Sequence, residues 1–194
     1  MTMYQKYCQL EIDGRWIGLE KTDLIMEYFC TPVDADIIGW ENNIHYCFIR
    51  GNRDMVFAVN PEPVVEQYVY PLAMNFKDFL RLILACGSTT AVEQIIGWSR
   101  EQFEQFVVSE DHAIHPEQQK VLDVIRTSLK LKPMEDPYAY VRSVQEQFDQ
   151  YHREMKFSNA YYDTLGLERP DGSDGEAELL EFAPVTFVFV TKKK

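Results

Sequence analysis

The stretch GWENNIHYCFIRGNRDMVFAVNPEPVVEQYVYPLAMNFKDFLRLILACG, Gly39–Gly87, decides the fold. Ile44, Tyr46 and Phe48 alternate with His45, Cys47 and Ile49, and both sets are largely apolar, the pattern of a strand buried on both faces. Gly51-Asn52-Arg53-Asp54 turns the chain, and Met55 to Val59 reads as its antiparallel partner. Pro61 and Pro63 close that strand. Val64 to Tyr70 reads as an added edge strand that Pro71 stops. Asn75 then caps a helix with Asp78 in its first turn, and Phe76, Phe79, Leu80, Ile83 and Leu84 form one apolar face. Gly87 stands where a helix-ending glycine belongs.

Working outward, Cys8, Leu10 and Ile12 alternate with polar residues before Asp13-Gly14, and Trp16 to Leu19 follow; this reads as an N-terminal hairpin. Asp23 to Cys30 reads as a short helix or an irregular strand ended by Pro32. Downstream, Thr90 to Gly97 is a second helix. Ser99 to Gln102 is a capping-box pattern opening a third, with Phe103, Phe106 and Val107 inward. Pro116 opens another with Val121, Leu122, Ile125 and Leu129 inward. Asp136-Pro137 opens a fifth with Tyr140, Val141, Val144 and Phe148 inward. Glu168 to Glu178 is a polar loop expected to be mobile, and Val185 to Val190 is a buried-strand sequence expected to return to the sheet. Strands followed by helices and a closing strand make an α+β pattern: a mostly antiparallel sheet packed by helices, with an extended C-terminal helical region. One domain over residues 1–194 is the expectation for this length.

The net charge is -12 and the sequence pI is about 4.8. Phosphate contacts need clustered Lys and Arg, so a nucleic-acid partner and docking on an anionic membrane are both excluded as expectations. An acidic chain is steered toward a basic protein. The four cysteines, Cys8, Cys30, Cys47 and Cys86, form no C-x-x-C pair, so neither a zinc knuckle nor a dithiol redox site is suggested. The N-terminus lacks the apolar core of a signal peptide, and no apolar run approaches the ~20 residues that span a bilayer. The expected compartment is the reducing cytoplasm.

Candidate chemistry is sparse. His45 and Cys47 share a strand face, but burial without an orienting group makes them core residues. His112 and His115 could be half of a metal site, yet no further ligand is suitably spaced. Asp171, Asp174 and Glu176 do not follow the order of ligands and glycine in a calcium-binding loop. No phosphate-binding glycine motif and no G-x-S-x-G occurs. No catalytic residue, cofactor or metal is therefore assigned. The preferred contact surface is the acidic, aromatic segment with Asp34, Asp36, Trp40 and Glu41; Asp171, Asp174 and Glu176 form a second candidate.

The segments VFAVNPE, Tyr68-Val69-Tyr70-Pro71-Leu72-Ala73 and Asn75-Phe76-Lys77-Asp78-Phe79-Leu80 resemble the SUKH superfamily, which includes the Smi/Knr cell-wall regulators and many bacterial immunity proteins. The resemblance lies in a strand leading into a helix that opens F-x-x-F-L, and it covers Met55 to Leu84. The family's early helix, Leu-Pro turn and Asn-Gly-Gly-like turn are not matched. Membership implies an α+β fold and a protein-binding role without catalysis, the bacterial form neutralising a toxin, often a nuclease. Beside this reading stand a scaffold or regulator of the same fold without a toxin partner, and an enzyme whose site the sequence does not reveal.

Overall fold

In a computed structural model of the chain, residues 1–21, 27–52, 54–63, 67–109, 112–147 and 155–170 are described. Four strands, β1 (Ala35–Glu41), β2 (Ile44–Ile49), β3 (Val56–Val59) and β4 (Val69–Ala73), form an antiparallel meander in the order β1-β2-β3-β4. Seven α-helices accompany it among the described residues: α1 (Met3–Cys8), α2 (Phe76–Cys86), α3 (Thr89–Gly97), α4 (Arg100–Val107), α5 (Pro116–Ser128), α6 (Pro137–Glu146) and α7 (Asn159–Leu165). The fold is α+β.

The alternation in β2 partitions its side chains as expected. Tyr46, with Ile44 and Phe48, faces the main core, which holds Phe76, Phe79, Leu80 and Ile83 of α2, Val92 and Ile95 of α3, and Leu122 and Ile125 of α5. Cys47 and Ile49 face a second core with Cys30, Phe57, Val59, Val69, Val144 and Met155. Burial on both faces accounts for the near-continuous apolar sequence of the strands.

The caps of α2 follow the sequence. Asn75 Oδ1 accepts from the Asp78 amide at 2.9 Å, and Gly87 ends the helix at φ +84°, where a side chain would be strained. Ser99 and Gln102 form both bonds of the capping box of α4, and Asp136 caps α6 through the Ala139 amide.

Three expectations differ. The N-terminus is not a hairpin. Thr2 Oγ1 accepts from Gln5 N while Gln5 Oε1 accepts from Thr2 N, a capping box that starts α1. Asp13 does not turn a hairpin; it caps a 3-10 helix, Gly14–Ile17, and its carboxylate holds Arg15 at 2.7 Å. Pro71 does not stop β4, which runs through it. Proline is tolerated because β4 is an edge strand among the described residues, and α6 packs against that edge: Gln145 Nε2 donates to the Pro71 carbonyl, and Met74 N donates to Tyr140 Oη at 3.1 Å. The first half of the proposed Asp23 to Cys30 element, all of the proposed Val185 to Val190 strand, Phe148, and the acidic loop from Asp171 onward lie outside the described residues.

Candidate functional site

The four acidic and aromatic residues singled out near β1 do not form one patch. Asp34 and Asp36 lie at the start of the strand, Trp40 and Glu41 at its end, ~15 Å away at about 3.3 Å per residue. A bulge between Ile37 and Gly39 also changes the facing. Asp36 pairs with Phe48 and Glu41 with Ile44 on the main-core side, whereas Trp40 pairs with His45 on the other. Asp171, Asp174 and Glu176 are not among the described residues.

The start of β1 is open and acidic. Asp36 is exposed beside the half-buried rings of Tyr4 and Phe48, which meet edge to face at 5.4 Å. Burial, foremost, and nearby Cys8 and Asp36 push the Tyr4 hydroxyl up to about 12. Asp34 has only a loose, exposed ion pair with Arg50 at 4.0 Å. An open concavity of about 570 Å³ adjoins the strand here, lined among the described residues by Glu27, Ala35, Asp36 and Ile37. Among the described residues, neither Glu27 nor Asp36 has an ion pair. Glu27, which had drawn no attention in the sequence, adds a second carboxylate to this opening; a lone exposed Glu gives no periodic signal.

The end of β1 is built into the fold. Trp40 exchanges backbone hydrogen bonds with Glu20 (3.0 and 3.1 Å), and Trp40 Nε1 is buried without a hydrogen-bond partner among the described residues. The Glu41 carboxylate is half-buried and accepts from Thr90 Oγ1 at the first turn of α3 (3.4 Å). Behind it, Thr89 Oγ1 donates to the Gly18 carbonyl at 2.7 Å, and Tyr70 Oη donates to Glu93 Oε1 at 2.5 Å. Burial, foremost, pushes both the Glu41 and Glu93 carboxyls up, with Glu20 adding to the rise at Glu41 and Glu41 to that at Glu93, while hydrogen bonds from Thr90, Tyr70 and Asn60 oppose it. Tyr46 Oη is fully buried and, among the described residues, has no hydrogen-bond partner of normal geometry; burial, foremost, with Glu93 and Glu41, pushes this hydroxyl up, and Thr89 opposes the rise. This polar seam was missed in the sequence. Its signal was present: Glu93 follows Thr90 by three and Thr89 by four residues in a helix whose remaining inward positions are apolar.

The remaining candidates have structural posts. Burial pushes the Cys47 thiol up and the His45 imidazole down, which opposes a thiolate–imidazolium pair; His45 stacks on Tyr28 at 4.2 Å. His112 Nε2 donates to the Cys86 carbonyl at 2.6 Å, closing the end of α2. His115 caps α5, its Nδ1 accepting from Glu117 N at 3.2 Å, and its ring lies flat against Trp16 at 4.6 Å. Both imidazoles are thus committed to local structure. Among the described residues, no group of three or more His, Cys, Asp or Glu is placed to hold a metal ion. No single helix among them is long and apolar enough to cross a membrane; the apolar α2 and α3 meet at 93° and are largely buried in the main core.

No family profile, curated protein or solved structure matches this chain.

Proposed function

We propose that this chain is a non-catalytic, SUKH-like protein-binding domain that captures a basic partner through the start of β1, in the manner of an immunity protein that neutralises a basic toxin such as a nuclease. The observation that carries the reading is the acidic opening beside β1. Glu27 and Asp36, which have no ion pair among the described residues, present carboxylates around an open concavity, Asp34 extends the negative surface, and Tyr4 and Phe48 supply aromatic area next to it. Charge of one sign on a chain of net -12 speeds encounter with a cationic surface, and adjacent aromatic rings slow its release. The segment that resembles the SUKH superfamily, Met55 to Leu84, forms β3, β4 and α2 in succession, the strand-into-helix arrangement the resemblance implies. Trp40 and Glu41 are assigned to the fold rather than to the partner, because their polar atoms are buried or bonded within the chain.

The test is capture from the native lysate on immobilised protein, eluted in steps of rising salt. The wild-type chain is expected to release a basic protein at moderate salt. The triple variant Glu27→Lys, Asp34→Lys, Asp36→Lys is expected to lose it with an unchanged melting temperature. A control with the same charge change at the exposed Glu62, Glu135 and Glu146 is expected to retain it. Equal loss in both variants would reduce the effect to net charge, and equal retention would remove β1 from the interface.

A further inference from the structure

We propose that the cavity between α1 and the 3-10 helix Gly14–Ile17 is a binding site for a small zwitterion, an α-amino acid with an apolar side chain. The cavity holds about 220 Å³. That is below the ~300–1,000 Å³ of sites for drug-sized ligands and suits one small solute. It is lined, among the described residues, by Tyr7 of α1 and by parts of the segment 12–21, and it shares no lining residue with the opening beside β1.

Three polar groups at this cavity lack partners among the described residues. Tyr7 is 1% exposed, yet its hydroxyl forms no hydrogen bond there. A buried hydroxyl without a partner is costly, and a ligand at the cavity can supply one. The Leu19 carbonyl accepts no backbone hydrogen bond. Gly14 leaves both oxygens bare: a Cβ there would stand 3.4 Å from Tyr7 Oη and 2.1 Å from the Leu19 oxygen. Third, Lys21 Nζ stands over the Tyr7 ring, 5.0 Å from its centroid, with no ion pair. That ammonium is unclaimed in a chain of 31 acidic residues against 19 basic ones.

The charges select the ligand. Asp13 and Arg15 also line the cavity, but they are committed to each other at 2.7 Å. What remains for a ligand is one ammonium, Lys21, and one carboxylate, Glu20, which likewise has no ion pair among the described residues. A bare anion would meet Glu20 and a bare cation Lys21, whereas a zwitterion meets an opposite charge at each end. Its carboxylate takes the Lys21 ammonium and the Tyr7 hydroxyl; its ammonium takes the Leu19 carbonyl and Glu20. Burial, foremost, pushes the Tyr7 hydroxyl up, so it stays a neutral donor. Half-buried Ile12 gives the ligand's side chain an apolar wall.

The experiment is an amide NMR titration of the full chain with three probes: L-leucine, its deaminated acid and its decarboxylated amine. L-leucine is expected to shift the Gly14, Leu19 and Lys21 amides saturably, and each single-charge analogue to bind at least about tenfold more weakly. Lys21→Met, which keeps most of the stem, and Tyr7→Phe, which deletes a hydroxyl bonded to nothing in the described chain, are each expected to weaken L-leucine about tenfold. Lys6→Met, an exposed lysine of α1 outside the cavity, is expected to bind as wild type does. No saturable shift with L-leucine, an equal response to the acid or the amine alone, or undiminished binding by Lys21→Met would overturn the proposal. If a variant does not fold, the comparison of the three probes on the wild-type chain decides.

Discussion

Replacing Tyr140 with Phe tests how α6 closes the sheet. Tyr140 lies half-buried between the two cores, and its hydroxyl joins three elements. It accepts from Met74 N at the end of β4 and donates to Asp78 Oδ2 in the first turn of α2, each at 3.1 Å. Burial, foremost, holds this hydroxyl up at about 12, so it keeps its proton at neutral pH. Phe keeps the ring and its packing and deletes only the two bonds. Leaving the Met74 amide without its partner costs about 1–2 kcal/mol, at the lower end for a buried donor because the site is only part-buried. Loss of the Asp78 bond adds little, ~0.5 kcal/mol, because Asp78 Oδ2 still accepts from Asn75 Nδ2 and Oδ1 still pairs with Arg81. The sum is about 2 kcal/mol. At this chain length that corresponds to a melting shift of roughly 4–8 °C, or a urea midpoint lowered by about 0.7–1 M for m of roughly 2–3 kcal/mol/M. Amide exchange should rise first in Val69–Ala73. A midpoint within 0.2 M of wild type would refute the claim that α6 serves β4 in place of a further strand.

Two other outcomes are expected. Gly18→Ala should destabilise the chain by several kcal/mol or prevent folding, because φ is +69° and the added methyl meets Thr89 and Glu41; a soluble variant with an unchanged melting curve would contradict the packing of the seam. In native conditions one thiol, Cys8, should react rapidly with an alkylating reagent at pH 8. Cys30 and Cys86 should lag, because burial lifts them to about 11 and about 12, and Cys47, lifted further, should lag with them; fast labelling of Cys47 would revive a thiol chemistry for this chain.

The legible parts of the fold were those in which local chemistry and tertiary packing agree. Asn75, Ser99, Pro116 and Asp136 each open a helix whose apolar stripe faces a core, so caps and periodicity pointed to one answer. The doubly apolar alternation of β2 reported an interior strand for the same reason. The N-terminus misled because its signals conflict. Cys8, Leu10 and Ile12 alternate like a strand, and Asp13-Gly14 has hairpin-turn composition, but Thr2 and Gln5 satisfy the first amides of a helix. Tyr7 then buries against Phe76 at 5.4 Å, a contact no local pattern reveals. Pro71 misled for a related reason: a proline weakens a ladder only on the side where a neighbour needs its amide, and which strand lies at an edge is a tertiary fact.

The candidate site shows the same limit more sharply, because a single bulge reverses it. Asp36 and Trp40 are four residues apart, an even spacing that in a regular strand sets both side chains on one face. The irregularity between Ile37 and Gly39 inserts a residue, so Trp40 turns to the face of His45 while Glu41, at an odd spacing, joins Asp36 on the main-core side. The bulge fits the packing there. Gly39 lies against Leu19, and a Cβ on it would stand 2.5 Å from Leu19 Cδ1 and 3.2 Å from the Glu20 carbonyl. The chain near Leu19 and Glu20 can therefore lie close over β1, exchange hydrogen bonds with Trp40, and bring the Gly18 turn up to Thr89. Glu41 is drawn into that junction and away from solvent. One local insertion thus divides a run of acidic and aromatic residues into two different uses: carboxylates that face outward at Asp34 and Asp36, and a carboxyl held against α3 at Glu41. Charge composition registers all three equally, and only the register of β1 tells them apart.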